Sequence, residues 1–156
     1  MNAVELLKHD HETVHQLLDR LGKTTERGVK TREELLHHLH LELAVHTALE
    51  EEIFYPAYRQ AGSKEDEIMF HEAKEEHRAV DSLVMPDLEK TDPSAIEFAG
   101  RVKVLKDMVD HHIEEEEQEM FPKASELLGK DRLEELGEEM ENRKKALKKE
   151  LSAKLS

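Results

Sequence analysis

The sequence predicts an all-α fold: an up-down-up-down four-helix bundle with an additional C-terminal amphipathic helix. Three observations carry this. Apolar residues recur at helical spacing through most of the 156 residues. Strand signals are sparse, with little sustained alternation and no Asn-Gly or Asp-Gly turn. Charged residues make up 38% and aromatic residues 4%, a balance that suits solvated helices whose apolar stripes supply the core.

Each element has its own signals. Asn2 caps a first helix carrying Leu6, Leu7, Val14, Leu17, Leu18 and Leu21, and Gly22 stops it. Thr31 with Glu34 forms a capping box for a second helix through Leu35, Leu36, Leu39, Leu43, Leu49 and Ile53. Pro56 has no N–H and clashes with the preceding turn, so that helix is expected to break or kink near its end. Ser63 with Asp66 opens a third helix that ends before Pro86. Ser94 with Glu97 opens a fourth, which runs to Pro122. Beyond Gly129, Leu133, Leu136, Met140, Leu147 and Leu151 trace a narrow stripe that either docks on the bundle or pairs with a second copy. The chain therefore divides into a bundle, 1–125, and a helical extension, 126–156.

Composition excludes several function classes. The chain carries 23 Lys plus Arg against 37 Asp plus Glu, a net charge of -14, which disfavours nucleic acid and anionic membranes as partners. It has no cysteine, so disulfides, thiolate metal sites and thiol nucleophiles are excluded. No apolar run approaches the roughly 20 residues that span a bilayer. The first residues, MNAVELLKHDHE, lack a basic segment and a cleavage site, so a cytoplasmic location is expected.

The 11 histidines are the unusual feature, and an internal repeat orders them. At an offset of 66 residues His11 falls on His77, with Asp10 on Glu76 before them. His46 falls on His112, Glu50 on Glu116, Glu51 on Glu117, Tyr55 on Phe121 and Pro56 on Pro122. Each half is a helical hairpin with a His on its first helix and His-x-x-x-Glu on its second. Residues four apart share a helix face, so His46 with Glu50, and His112 with Glu116, point at one spot. Leu39, Leu43, His46, Leu49, Glu50 and Ile53 share a face, which places a carboxylate in an apolar stripe. Burial there is costly unless the carboxylate is paired or metal-bound.

Four imidazoles and two carboxylates converging in a bundle core suit a pair of Fe, Mn or Zn ions. Two bridging carboxylates and four nitrogens fill about eight of the twelve positions of two octahedral ions, and an oxo or hydroxo bridge fills two more. About one position per metal stays open to a small ligand.

Those segments, KHDH at His11, HTALEEEIFYP from His46, EEH ending at His77 and HIEEEEQEMFP from His112, resemble the hemerythrin-like, or HHE cation-binding, family over about residues 1–125. The resemblance implies two non-heme irons, bridged by oxo or hydroxo, that bind or react with O2, peroxide or nitric oxide. Members include carriers, sensors, iron stores and peroxide-decomposing enzymes. If the chain is an enzyme, the expected reaction is peroxide disproportionation. The alternatives are a non-catalytic O2 or iron sensor or store, and a metal-free helical interaction module. The C-terminal helix also makes a homo-oligomer an expectation.

The chain departs from the oxygen carriers. Their third helix has His-x-x-x-His, whereas the upstream position here is Ala73. Their last carboxylate corresponds to Glu117, while the internal symmetry selects Glu116. The missing imidazole leaves an open position or a substitute ligand. His15, one turn after His11, is the first candidate, and Tyr55, five residues after Glu50, the second. His71, His111, His37, His38 and His40 are expected on the surface or in supporting roles, and Glu51 on the charged helix surface.

Overall fold

The computed structural model describes residues 1–155. Helix α1 spans Ala3–Gly22 and α2 spans Val29–Leu49, which passes through a wide π turn, Glu50–Phe54, into α3, Tyr55–Ala61. Helix α4, Lys64–Ala79, passes through Val80–Val84 into α5, Met85–Glu89. Helix α6, Ile96–Glu115, passes through Glu116–Met120 into α7, Phe121–Leu155. The four rods form the up-down-up-down bundle. Beyond a kink at Gly129 (φ 77°), α7 packs along α1 and α2. Among the described residues there is no strand, and no helix is long and apolar enough to cross a membrane.

Two of the four expected helix starts are present, Asn2 and Ser63, and each is a full capping box. Asn2 accepts from the Glu5 N–H at 2.9 Å, and Glu5 accepts from the Asn2 N–H at 3.0 Å. Asp66 accepts the N–H and hydroxyl of Ser63 at 2.8 and 3.0 Å. The other two are corrected. Helix α2 begins at Val29 behind Gly28, before Thr31 can cap it. Ser94 bonds to Asp92 instead, leaving Ala95 at the start of α6. There the chain follows a local turn centred on an Asx side chain, which competes with the cap.

The prolines do not end the rods as expected. Before each of Pro56, Pro86 and Pro122 the backbone widens by one residue, and the N–H groups of Tyr55, Met85 and Phe121 bond to the carbonyls of Glu50, Val80 and Glu116. The wide turn moves the carbonyl that a proline ring would strike. The proline then sits at the start of the next segment, where its missing N–H costs nothing. The rods run on through Ala61, Glu89 and α7.

Two apolar clusters fill the bundle. One gathers Leu7, Val45, Leu49, Phe54, Tyr55, Tyr58, Phe70 and Phe121, and the other gathers Val14, Leu18, Leu39, Met85, Leu88, Phe98 and Leu105. Each fully buried Leu or Phe contributes about 1.5–3 kcal/mol. The C-terminal stripe docks: Leu133, Leu136, Met140 and Leu147 belong to the first cluster with Ala3 and Leu7. Gly137 permits this, because a Cβ there would meet the backbone carbonyl oxygen of Met1 and lie 2.7 Å from the Asn2 carbonyl carbon. Between the clusters lies a polar layer.

Candidate metal centre

Seven polar residues make up that layer: Asp10, His11, His46, Glu50, His77, His112 and Glu116, none more than 8% exposed. The four imidazoles turn Nε2 inward. His46 Nε2 and His77 Nε2 lie 3.2 and 3.1 Å from Glu50 Oε1. His11 Nε2 and His112 Nε2 lie 3.1 and 3.4 Å from Glu116 Oε1. Ligand atoms of His11, His46, Glu50 and Glu116 gather within 4.8 Å of one another, as do those of Glu50, His77 and His112. The two groups share Glu50. All six residues singled out by the repeat therefore meet in one place.

Every imidazole holds a carboxylate on its outer nitrogen. Asp10 takes His46 Nδ1 at 3.0 Å and Glu76 takes His112 Nδ1 at 2.7 Å, each within one hairpin. Glu117 takes His11 Nδ1 at 2.7 Å and Glu51 takes His77 Nδ1 at 2.9 Å, each across to the other hairpin. Such partners fix the tautomer that leaves Nε2 as a lone pair and raise its basicity. These four roles were hidden in the sequence as the acid before each first-helix His and the second Glu of each Glu-Glu pair. A further support had no sequence signal: Lys144 Nζ, from α7, reaches Asp10 at 2.5 Å.

With Nδ1–H donated outward, each Nε2 is an acceptor facing a carboxylate, which is also an acceptor. Two acceptors about 3 Å apart need a cation between them, a proton or a metal. The buried atoms His11 Nε2, His46 Nε2, Glu50 Oε2 and Glu116 Oε1 accordingly have no aligned hydrogen-bond partner. In the metal-free protein protons take the place. Burial would depress His46, but Glu50 and Asp10 hold it well above the usual imidazole range. Burial likewise opposes protonation of His77, and Glu50 with Glu51 push it up to about 9. Burial would raise Glu50, but the charge on His46 and the surrounding hydrogen bonds hold it well below the usual carboxylate range. An imidazole and carboxylate set of this kind fits a transition-metal ion in place of those protons.

Tyr55 enters the same centre. It is fully buried, and its hydroxyl donates to Glu116 Oε2 at 2.5 Å and stands 3.3 Å from Glu50 Oε1 and from His77 Nε2. The wide turn after Glu50 brings this fifth residue onto the face of the first. Burial, then Glu116 and Glu50, keep its phenol protonated well above the usual range. Its ring stacks on His77 at 5.4 Å, and its repeat mate Phe121 stacks on His11 at 5.6 Å. The other substitutes lie outside. His15 is 58% exposed and faces Asp110 at 3.5 Å, because α1 turns Val14 and Leu18, not His15, into the core. Glu117 sits behind His11, and Glu116 holds the centre. His111 is exposed beside Glu115.

The profile of the hemerythrin HHE cation-binding domain matches residues 2–124. The chain belongs to the hemerythrin HHE cation-binding family. The buried His/Glu layer of this HHE domain is compatible with metal binding in its donor set. The fold is also similar to a solved HHE domain-containing protein from Mycobacterium kansasii, with a TM-score of 0.87, 29% identity, and coverage of 99% of this chain and 92% of that one. An uncharacterized protein of Mycobacterium tuberculosis is 29% identical over 142 residues, 90% of this chain and 83% of its own length. A DNA nickase of a Nostoc species is 26% identical over 152 residues. The HHE chain spans 41% of that nickase's length.

Proposed function

We propose that this HHE domain holds two non-heme iron ions and reacts with small oxidants, peroxide foremost. The observation that carries the reading is the pair of ligand groups sharing Glu50, with each Nε2 turned inward and each Nδ1 tied to a carboxylate. Two oxo- or hydroxo-bridged irons supply, when bound, a two-electron redox pair with room for a small ligand. His11, His46, His77 and His112 would hold the ions, with Glu50 and Glu116 between them. Asp10, Glu51, Glu76 and Glu117 orient the imidazoles.

Tyr55 keeps a proton at its hydroxyl against Glu116. It stands where it can give that proton to a neighbouring oxygen, or act as the substitute ligand for the imidazole missing at Ala73. The nicking activity of the Nostoc relative is not carried over, since the net charge of -14 disfavours nucleic acid as a partner and the chain spans only 41% of that relative's length.

Steady-state assay of hydrogen peroxide disproportionation on iron-loaded protein tests the catalytic reading. Sustained evolution of one O2 per two peroxides supports it. Iron-loaded protein that binds O2 or peroxide without turnover would make it a sensor or a store.

A further inference from the structure

Around the four imidazoles the repeat mates Tyr55 and Phe121 differ by one polar atom, the Tyr55 hydroxyl. Both rings stack on a histidine, Phe121 on His11 and Tyr55 on His77. Phe121 brings no donor or acceptor to its side of the layer. Tyr55 puts its hydroxyl among the ligand atoms of the other side, 3.3 Å from Glu50 Oε1, 3.3 Å from His77 Nε2 and 3.4 Å from His112 Nε2.

The two ligand groups are unequal as a result. The first has four residues, His11, His46, Glu50 and Glu116, two of them carboxylates. Its atoms His11 Nε2, His46 Nε2 and Glu116 Oε1 are buried with no aligned hydrogen-bond partner. The second has three residues, Glu50, His77 and His112, and one carboxylate. Here the nitrogens are already engaged: His77 Nε2 and His112 Nε2 lie 3.0 Å apart, with the Tyr55 hydroxyl beside both. Glu116 Oε1 approaches His112 Nε2 at 3.4 Å, but Glu116 Oε2 accepts from Tyr55 at 2.5 Å. A cation is drawn more strongly to two carboxylates than to one, and it displaces fewer internal contacts in the first group. A second ion then enters against the charge of the first, with Glu50 already shared.

We propose that the two metal positions fill in a fixed order. The first divalent transition-metal ion takes His11, His46, Glu50 and Glu116, and the second takes His77 and His112 beside Tyr55. A one-metal protein is therefore a distinct state, and Tyr55 governs the second step alone. The inference rests on the dinuclear reading and adds that its two halves are unequal. Loss of a group behind a ligand weakens metal binding by about 10–100-fold, so one whole ligand fewer should separate the steps by at least about tenfold.

Cobalt(II), added to metal-free protein under anaerobic conditions, is the probe. Elemental analysis counts the bound ions, chelator competition gives the two affinities, and the displaced proton NMR signals of the Nδ1–H groups report which imidazoles are ligated. Two such signals are expected at one equivalent and four at two. The tight step should be lost in His11→Ala and kept in His77→Ala, with His46→Ala and His112→Ala serving where the first pair does not fold. Tyr55→Phe should change the second affinity and leave the first within about twofold. Four signals growing together from the first addition, or steps separated only by the statistical factor, would overturn the order while leaving two ions bound. So would a tight step lost in His77→Ala and kept in His11→Ala, or an equal change of both steps in Tyr55→Phe. Saturation at a single cobalt would overturn the order and the dinuclear reading together.

Discussion

Replacing Asp10 by Asn tests whether the carboxylates behind the imidazoles matter to the metal. Asp10 is 3% exposed and serves two donors, His46 Nδ1 at 3.0 Å on one oxygen and Lys144 Nζ at 2.5 Å on the other. An Asn of the same shape offers one carbonyl oxygen and one NH2, so one of the two donors must face another donor. A buried donor left unpartnered costs about 1–3 kcal/mol of stability in the metal-free protein. At about 2–4 °C per kcal/mol for this chain length, Tm should fall by about 2–12 °C. Loss of the charge behind a ligating imidazole weakens metal binding by about 10–100-fold, or about 1.4–2.7 kcal/mol. The assay is competition for iron against a coloured chelator, with Asp19→Asn as the control, since Asp19 is half-exposed and pairs with Lys23 at the surface. Asp10→Asn binding iron as tightly as Asp19→Asn would refute the reasoning.

Three further outcomes follow from the same geometry. Glu50→Ala and Glu116→Ala should each remove at least one metal per chain, whereas Glu117→Ala should weaken binding only about tenfold through His11; metal lost in Glu117→Ala and kept in Glu116→Ala would reverse the assignment. In the metal-free protein the protonated His77 contributes stability that is fully present below pH 6.5 and lost as pH rises through about 9. On the order of 3 kcal/mol should therefore disappear over that window while the loaded protein changes less, so apparent metal affinity should rise with pH; a constant difference in Tm between the two forms across pH 6.5–9 would contradict it. Gly137→Ala sets a Cβ 2.7 and 2.8 Å from Asn2 backbone atoms, and the close packing of α7 on the start of α1 should cost about 1–3 kcal/mol in denaturant unfolding; an unchanged or higher midpoint would mean that α7 is not seated there.

Most of the bundle and the inner six residues were legible because both rest on periodicities. A 66-residue repeat and a His-x-x-x-Glu spacing survive translation into structure, since i and i+4 share a face in any α-helix. What lay beyond reach depends on how far one helix slides against another. Asp10 and Glu76 reach an imidazole in their own hairpin, but Glu51 and Glu117 cross to the other, and only the interhelical heights decide which. Lys144 joins the network from a helix outside the repeat. The prolines misled because a broken helix and a one-residue widening both relieve the same clash, and the chain adopts the second. That widening also explains Tyr55, which five residues of regular helix would not align with Glu50. His15 failed as a ligand because sharing a broad face with His11 does not place both at the bundle axis.

A two-metal centre built on Glu50 and Glu116 sets a definite metal stoichiometry. Iron titration of the metal-free protein, read by elemental analysis after gel filtration and by near-ultraviolet absorption, tests it most directly. Saturation at two irons per chain with oxo-bridge bands is expected, with loss of both bands and stoichiometry in the Glu50→Ala, Glu116→Ala double variant. Saturation at one iron or none, or two irons retained in that double variant, would contradict it.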